Sequence, residues 1–303
     1  MSLSPAPDHV LDLMGIGPRQ VVPLSDVPLG NANWLVQTAA GQRHVLRRYH
    51  ARATTEDLAY EHAVLDHLAS AGWVVPAALS EPVFWGDRWY CLTRHVPGEA
   101  VRPEPAEQSR RRGRDLARLH LALRGYDEIA GQRPGWQAQH VAVTVRADND
   151  WNDRVRGLAV VSPRLSSWAE AAAVDVRAAL TAAGAGGLPL MVVHGDFAEW
   201  NVHYERGRLA GVIDFALTHV DSRPYELAIA RAYRAPGLID AYRAGLAAGG
   251  WPLSELELGA IEPVYRAFRV GMAATEMADG LITGSYDLIM IERQLSRTGT
   301  AAP

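Results

Sequence analysis

The sequence predicts an α+β fold in two lobes, a β-rich N-terminal lobe carrying one main helix and a mostly helical C-terminal lobe. Three observations predict it. Residues 20–93 hold five short runs rich in β-branched and aromatic residues, parted by turn residues. From Ala106 onward apolar residues recur at helical spacing. A single stretch interrupts that helical pattern, LMVVHGDFAEWNVHYERGRLAGVIDF from Leu190 to Phe215, which reads as short apolar strands around a polar loop. At 303 residues the chain is long enough for two cores or for one bilobal enzyme.

The N-terminal lobe begins with a short helical pattern, Val10, Leu11, Leu13 and Met14, closed by Gly15-Ile16-Gly17-Pro18. Strand signals follow at Gln20–Leu24, Asn33–Thr38 and His44–Tyr49 and form an antiparallel meander. The next helix, Thr54–Ser70, has a clear start, because Thr54 caps it and Asp57 completes a box-like pair. Leu58, Glu61, Leu65 and Leu68 recur at steps of three, four and three, which puts Glu61 inside the apolar stripe. A carboxylate buried there needs a cation, and Arg47 on the third strand, sharing a face with Val45 and Tyr49, is the candidate. Val83–Trp85 and Arg88–Thr93 flank Gly86-Asp87 and complete five strands. The proline-rich run after Arg94 marks the boundary, with an N-lobe over 1–95, a C-lobe over 96–303 and a hinge at about 94–98.

The C-terminal lobe opens with a helix over Ala106–Leu123 that carries Leu116, Leu119, His120 and Leu123 on or near one face. The basic cluster Arg110–Arg112 with Arg114 reads as a solvated face. Residues 124–187 are less patterned, with Trp136, Trp151 and Trp168 and an alanine-rich helical run from Leu165 to Ala183. Beyond Phe215, Pro224–Tyr233 is a helix with Ser222 as its cap, and residues 236–295 continue as helices broken at Gly249-Gly250-Trp251-Pro252 and near Gly280.

The chemistry concentrates in Leu190–Phe215. Val202–Tyr204 and Leu209–Ile213 make a hairpin that holds Asp196 and Asn201 on one loop and brings Asp214 back beside them. Mg²⁺ takes oxygen ligands, usually one or two carboxylates together with substrate phosphates, and Asn201 and Asp214 suit that role. Asp196 is left to orient an attacking hydroxyl or accept its proton. Acidic residues at hairpin ends are otherwise ordinary solvated turn residues; the joint spacing of the three argues against that here.

The order His-x-Asp-x-x-x-x-Asn with a later Asp-Phe is the catalytic-loop and metal-aspartate pattern of protein kinases. In the form HGDF-x-x-x-N it resembles the aminoglycoside phosphotransferase and choline kinase branch of that superfamily. The resemblance implies a bilobal protein-kinase-like fold that uses ATP or GTP with Mg²⁺, Asp196 being catalytic and Asn201 and Asp214 holding the metal. It places Arg47, Glu61, Gly30, Asn31 and the main chain of Arg94 and Val96 at the nucleotide. Gly30 and Asn31 belong to PLGNANW, which stands where a phosphate-covering loop is expected. Arg47, in HVLR, stands where the kinase VAIK strand has lysine; its pair with Glu61 either grips phosphate or only ties strand to helix. His194, Trp200, Asp221 and Glu226 fall to acceptor or structural support, Glu226 standing where the family usually has aspartate. The acceptor implied is a hydroxyl on a small molecule, an aminoglycoside or other antibiotic-like compound first. A homoserine- or choline-kinase-like metabolic kinase is the alternative, since the stretch GIGPRQVVPLSDVPLGNANWLVQT also resembles homoserine kinases. A catalytically weak nucleotide-binding regulator is the reading from another class.

Composition excludes several other functions. A net charge of −4 without an arginine stripe argues against nucleic acid as a partner. No apolar stretch approaches the ~18 residues that span a bilayer, and Asp8 and Asp12 interrupt any signal peptide, so a cytoplasmic location is expected and no membrane partner. The single cysteine, Cys91, lies in an apolar strand and reads as a buried, inert thiol. Oligomeric state is not legible.

Overall fold

In the computed structural model, which describes residues 8–17, 19–26, 30–139 and 151–302, contacts divide the chain into two units. The first unit supplies α1 (Asp8–Leu13), β1 (Arg19–Asp26), β2 (Ala32–Thr38), β3 (Arg43–Arg48), α2 (Thr55–Ser70), β4 (Val83–Trp85), β5 (Arg88–Arg94) and β6 (Glu99–Ala100). The second follows with α3 (Ala106–Leu123), α4 (Asp127–Ala130), α5 (Trp151–Val161), α6 (Pro163–Ala182) and β7 (Leu190–Val193). The chain then returns to the first unit over Trp200–Ala216, where β8 (Val202–Glu205) and β9 (Arg208–Val212) form the hairpin. The boundary expected from sequence puts that hairpin with the C-terminal lobe instead. The chain ends in the second unit with β10 (His219–Ser222), α7 (Arg223–Ala232), α8 (Leu238–Ala248), α9 (Glu255–Thr283) and α10 (Leu288–Leu295).

In the first unit the meander becomes an antiparallel sheet of order β1-β2-β3-β5-β4. Period-two alternation sends Ala32, Trp34, Val36, Leu46 and Leu92 to one side, where Val10 and Leu11 of α1 complete the core. The opposite register of β3 and β5 carries Arg47, Tyr49 and Cys91, and Leu58 of α2 packs with the latter two. Helix α2 starts as read: the Thr54 side chain accepts from the Asp57 N–H, and Asp57 reciprocates on the Thr54 N–H. The short strand β6 joins β8 and β9 in a second sheet of order β6-β8-β9. Gly211 of β9 lies so close under Val74 that a Cβ would sit 2.5 Å from the Val74 carbonyl oxygen, and Val212 N–H donates to that oxygen.

The second unit is helical around one two-stranded sheet. β7 pairs antiparallel with β10, Val193 opposite His219 and Leu190 opposite Ser222. Strand β10 and helix α5 are absent from the sequence reading, and Ser222 occupies the N-cap position of α7 without a side-chain capping bond, its hydroxyl facing Asp221 instead. Arg112 also departs from its reading. Within the basic cluster it is 1% exposed, because α3 turns it inward to Glu104. No helix among the described residues is long and apolar enough to cross a membrane.

Candidate active site

In the first unit, strand alternation turns Arg47 inward beside Tyr49. Its Nη1 donates to Glu61 Oε1 (3.1 Å) and its Nη2 to Asp214 Oδ1 (3.3 Å), with the guanidinium 4.9 Å from the Tyr49 ring centroid. Arg47 and Glu61 are buried, whereas the Asp214 side chain is 47% exposed. Burial opposes the charge on Arg47, but Glu61 and Asp214 outweigh it and hold the guanidinium above the ordinary arginine range. The helix glutamate and strand cation inferred from periodicity are therefore paired.

Asp214 follows the return strand β9 and adopts φ +62°, a left-handed conformation that aspartate tolerates better than most residues. Asn201 precedes β8, and its carbonyl accepts from Ile213 N–H (2.9 Å), which ties the two ends of the hairpin together. Arg47, Asn201 and Asp214 line one cavity of about 340 Å³, whose apolar wall includes Val45, Val96 and Ile213. An amide oxygen and a carboxylate are hard donors, and together they suit a divalent cation that draws its other ligands from phosphate. Among the described residues no cluster of three His, Cys, Asp or Glu side chains is placed to hold a metal.

Of the residues expected at the nucleotide, Arg94 and Val96 line this cavity. Arg94 N–H donates to Ala77 O (2.9 Å), so its carbonyl is the main-chain group it could offer a base. Val96 lines the cavity, and its N–H has no partner among the described residues. Gly30 and Asn31 do not line the cavity, and the Asn31 side chain accepts from His50 N–H (2.9 Å). Ser25 and Asn33, hydrogen-bonded to each other at 2.9 Å, line it instead. Pro28 and Leu29 of PLGNANW lie outside the described residues. His203 of β8, which the sequence reading did not place at the nucleotide, also lines the cavity. Burial keeps His203 below the ordinary histidine value.

The loop carrying Asp196 belongs to the second unit up to Glu199. Gly195 stands at φ +87°, and a Cβ there would lie 2.1 Å from the Leu217 carbonyl oxygen, so no other residue fits. Glu226 on α7 accepts from Gly195 N–H (2.9 Å) and His194 N–H (3.3 Å). His194 Nδ1 in turn accepts from Asp196 N–H (3.1 Å). Beyond Asp196, Arg112 donates to the Phe197 carbonyl (2.5 Å) and grips Glu104 through two 2.8 Å bonds. The loop is thus pinned on both sides of Asp196, from α7 and from α3.

Glu226 itself is 1% exposed. Burial favours its neutral acid, but His120, His194 and the Gly195 N–H outweigh that and hold the carboxyl below its ordinary range. His120 Nε2 lies 3.6 Å away, and its Nδ1 pairs with the Tyr242 hydroxyl at 2.7 Å. Burial lowers the His120 pKa, which favours the neutral ring. Asp221, fully buried, accepts from Gln139 N–H (2.7 Å), Ser222 N–H (2.6 Å) and the His219 ring (3.1 Å). His194 and Glu226 are therefore built into the support of the loop, Asp221 instead ties β10 to Gln139, and Trp200 is half-buried and begins the returning segment.

Known proteins resemble this arrangement over most of the chain. The model of the phosphotransferase enzyme family (APH) matches residues 25–258, more than half of the chain. A homoserine kinase of Xanthobacter autotrophicus is 29% identical over 271 residues, covering 83% of this chain and 78% of its own. Among solved structures, the amicoumacin kinase hAmiN, in complex with AMP-PNP, Ca²⁺ and Ami, superposes with a TM-score of 0.70 at 14% identity, covering 96% of this chain and 92% of the other. A thermostable mutant of the aminoglycoside phosphotransferase APH(4)-Ia gives 0.65 at 18% identity, with 97% of both chains covered. The resemblance read from HGDF-x-x-x-N extends to the kinase-like fold.

Proposed function

The chain belongs to the phosphotransferase enzyme family and is a small-molecule kinase, and from that premise we propose that it moves the γ-phosphoryl group of ATP or GTP to the hydroxyl of a small amino-acid alcohol of the homoserine type. The observation that carries the reading is the cavity in which Arg47, backed by Glu61, meets Asn201 and Asp214. Asn201 and Asp214 would hold Mg²⁺, which when bound neutralises charge on the phosphate oxygens. Arg47 adds a permanent positive charge toward the same phosphates, and its planar fork suits two oxygens at once. The apolar wall with the Val96 N–H suits a nucleobase.

The acceptor oxygen forms its bond to the γ-phosphorus as the bond from that phosphorus to the β,γ-bridging oxygen breaks. The nucleoside diphosphate leaves with that electron pair, and the hydroxyl proton passes to the Asp196 carboxylate. Little covalent chemistry falls to the protein, so holding Asp196 still contributes much of the rate, and this is what Glu226 and Arg112 do.

The homoserine kinases among the relatives weigh toward an amino-acid alcohol over an aminoglycoside, because the antibiotic kinases resemble this chain at identities that speak for fold alone. Mass detection of phosphorylated product with Mg-ATP and Mg-GTP decides, using L-homoserine, choline, kanamycin and hygromycin B as acceptors. Phosphohomoserine as the dominant product is expected; a phosphorylated aminoglycoside with homoserine untouched would reverse the acceptor assignment.

A further inference from the structure

A second cavity, of about 470 Å³, lies in the unit that carries Asp196 and is lined by Arg102, Glu104, Glu199, Tyr233 and Arg234 among others. It shares its support with the loop. Glu226, which holds the loop's N–H groups, and Tyr233 are seven residues apart, two turns along one face at the end of α7. Glu199 enters the cavity three residues after Asp196, and Arg112 fixes the loop to Glu104 on the cavity's other wall. The Tyr233 phenol is pushed up to about 12, by burial first and then by the carboxylates of Asp196 and Glu199, so both charges lie within electrostatic reach of it.

The charges in this cavity are unequally committed. Glu104 is consumed by the bidentate bond to buried Arg112. Glu199 and Arg234 form no ion pair among the described residues, and both are at least partly exposed. Arg234 also stands at φ +54°, where a residue with a side chain costs more than glycine. A carboxylate and a guanidinium left open on one cavity beside the loop aspartate make a surface complementary to a molecule with both charges.

We propose that this cavity is the acceptor's recognition subsite and selects a zwitterionic amino alcohol, Arg234 taking its carboxylate and Glu199 its ammonium group. The proposal rests on the phosphotransfer reading above and adds the residues that determine acceptor choice. Arg234 and Glu199 are specificity residues here, and the chemistry stays with Asp196.

The test compares L-homoserine with 3-aminopropan-1-ol, which lacks the carboxylate, and 4-hydroxybutyrate, which lacks the ammonium group. Arg234→Gly should raise the KM for homoserine roughly 10- to 100-fold, with kcat within about threefold, as loss of a charge-assisted bond does. It should leave the KM for 3-aminopropan-1-ol and for the nucleotide unchanged. Glu199→Gln should do the same with the analogues exchanged, sparing 4-hydroxybutyrate. Glycine is at home at the left-handed position, so Arg234→Gly keeps its melting temperature, and a melt of each variant verifies folding. If wild type phosphorylates homoserine and both variants keep its KM within about twofold, the subsite is wrong and the phosphotransfer reading stands. If wild type phosphorylates another alcohol but no zwitterion, the subsite and the proposed acceptor class fall together. No product from any alcohol removes the phosphotransfer reading itself.

Discussion

Two buried glutamates, Glu61 on α2 and Glu226 on α7, meet the same electrostatic problem in different ways. Glu61 is answered by a permanent cation, Arg47, which also reaches the half-exposed Asp214. Glu226 is answered by two backbone N–H groups and by a histidine that burial keeps below its ordinary pKa. The first arrangement keeps a half-exposed partner at its edge, and in the proposed reading a nucleotide phosphate would compete with it for Arg47. The second is closed: every bond it makes fixes the shape of a loop. On the proposed function, ionic pairing sits where a charged substrate would arrive, and backbone hydrogen bonding sits where geometry must not move.

Removing each carboxylate separates the two roles. Glu226→Leu strands two buried N–H groups and should cost about 3 kcal/mol, a fall in melting temperature of roughly 5–10 °C, with turnover lost alongside. Glu61→Leu leaves the buried Arg47 charge with Asp214 as its remaining carboxylate, so the expected loss is of similar size, about 3 kcal/mol. Its distinguishing effect is on binding: the melting shift produced by Mg-nucleotide should shrink in Glu61→Leu. Thermal melts with and without Mg-nucleotide measure both. A Glu61→Leu variant with the full wild-type nucleotide shift would break the comparison, because Glu61 would then be only a strut.

Acid should act more gently. His120 is held below 6.5, and the unfolded chain takes up that proton first, so native stability declines as pH falls below about 6.5. His62, His95 and His203 shift in the same direction, by burial first, and deepen the decline. Glu226 lies below 4.5, so the stability it contributes is present above its unfolded value and is lost as pH falls from there through its lower native value. Melting temperature should therefore be flat from about pH 8 to 7, drop below about 6.5 and drop more steeply below about 4.5. A profile that stays flat down to about pH 5 would contradict the burial of neutral histidines.

What the sequence disclosed and what it hid follow one physical line. Helix α2, its capping box and the buried Glu61 were legible because their causes are local: a cap three residues from its partner and a stripe at helical spacing. The β8–β9 hairpin and the HGDFAEWN spacing were legible for the same reason. Strand β10 was not, since His219–Ser222 is a polar-looking tetrapeptide buried on all sides by tertiary partners such as Gln139. Arg112 could not be told from its neighbours in an arginine run, and only the fold of α3 turns it to Glu104 and Phe197. The commitment of Arg94 N–H to Ala77 and the replacement of Asn31 by Asn33 at the cavity are likewise pairings across distant segments, which no local pattern encodes.

In the proposed reaction Asp196 serves the attacking hydroxyl while Asp214 serves the metal and nucleotide. The most direct measurement follows product by mass in Asp196→Asn and Asp214→Asn beside wild type, with nucleotide binding read separately as a Mg-nucleotide melting shift. Asp196→Asn should lose turnover by roughly 100- to 10,000-fold yet keep the shift, while Asp214→Asn should lose both. Unchanged product formation by Asp196→Asn would contradict the account.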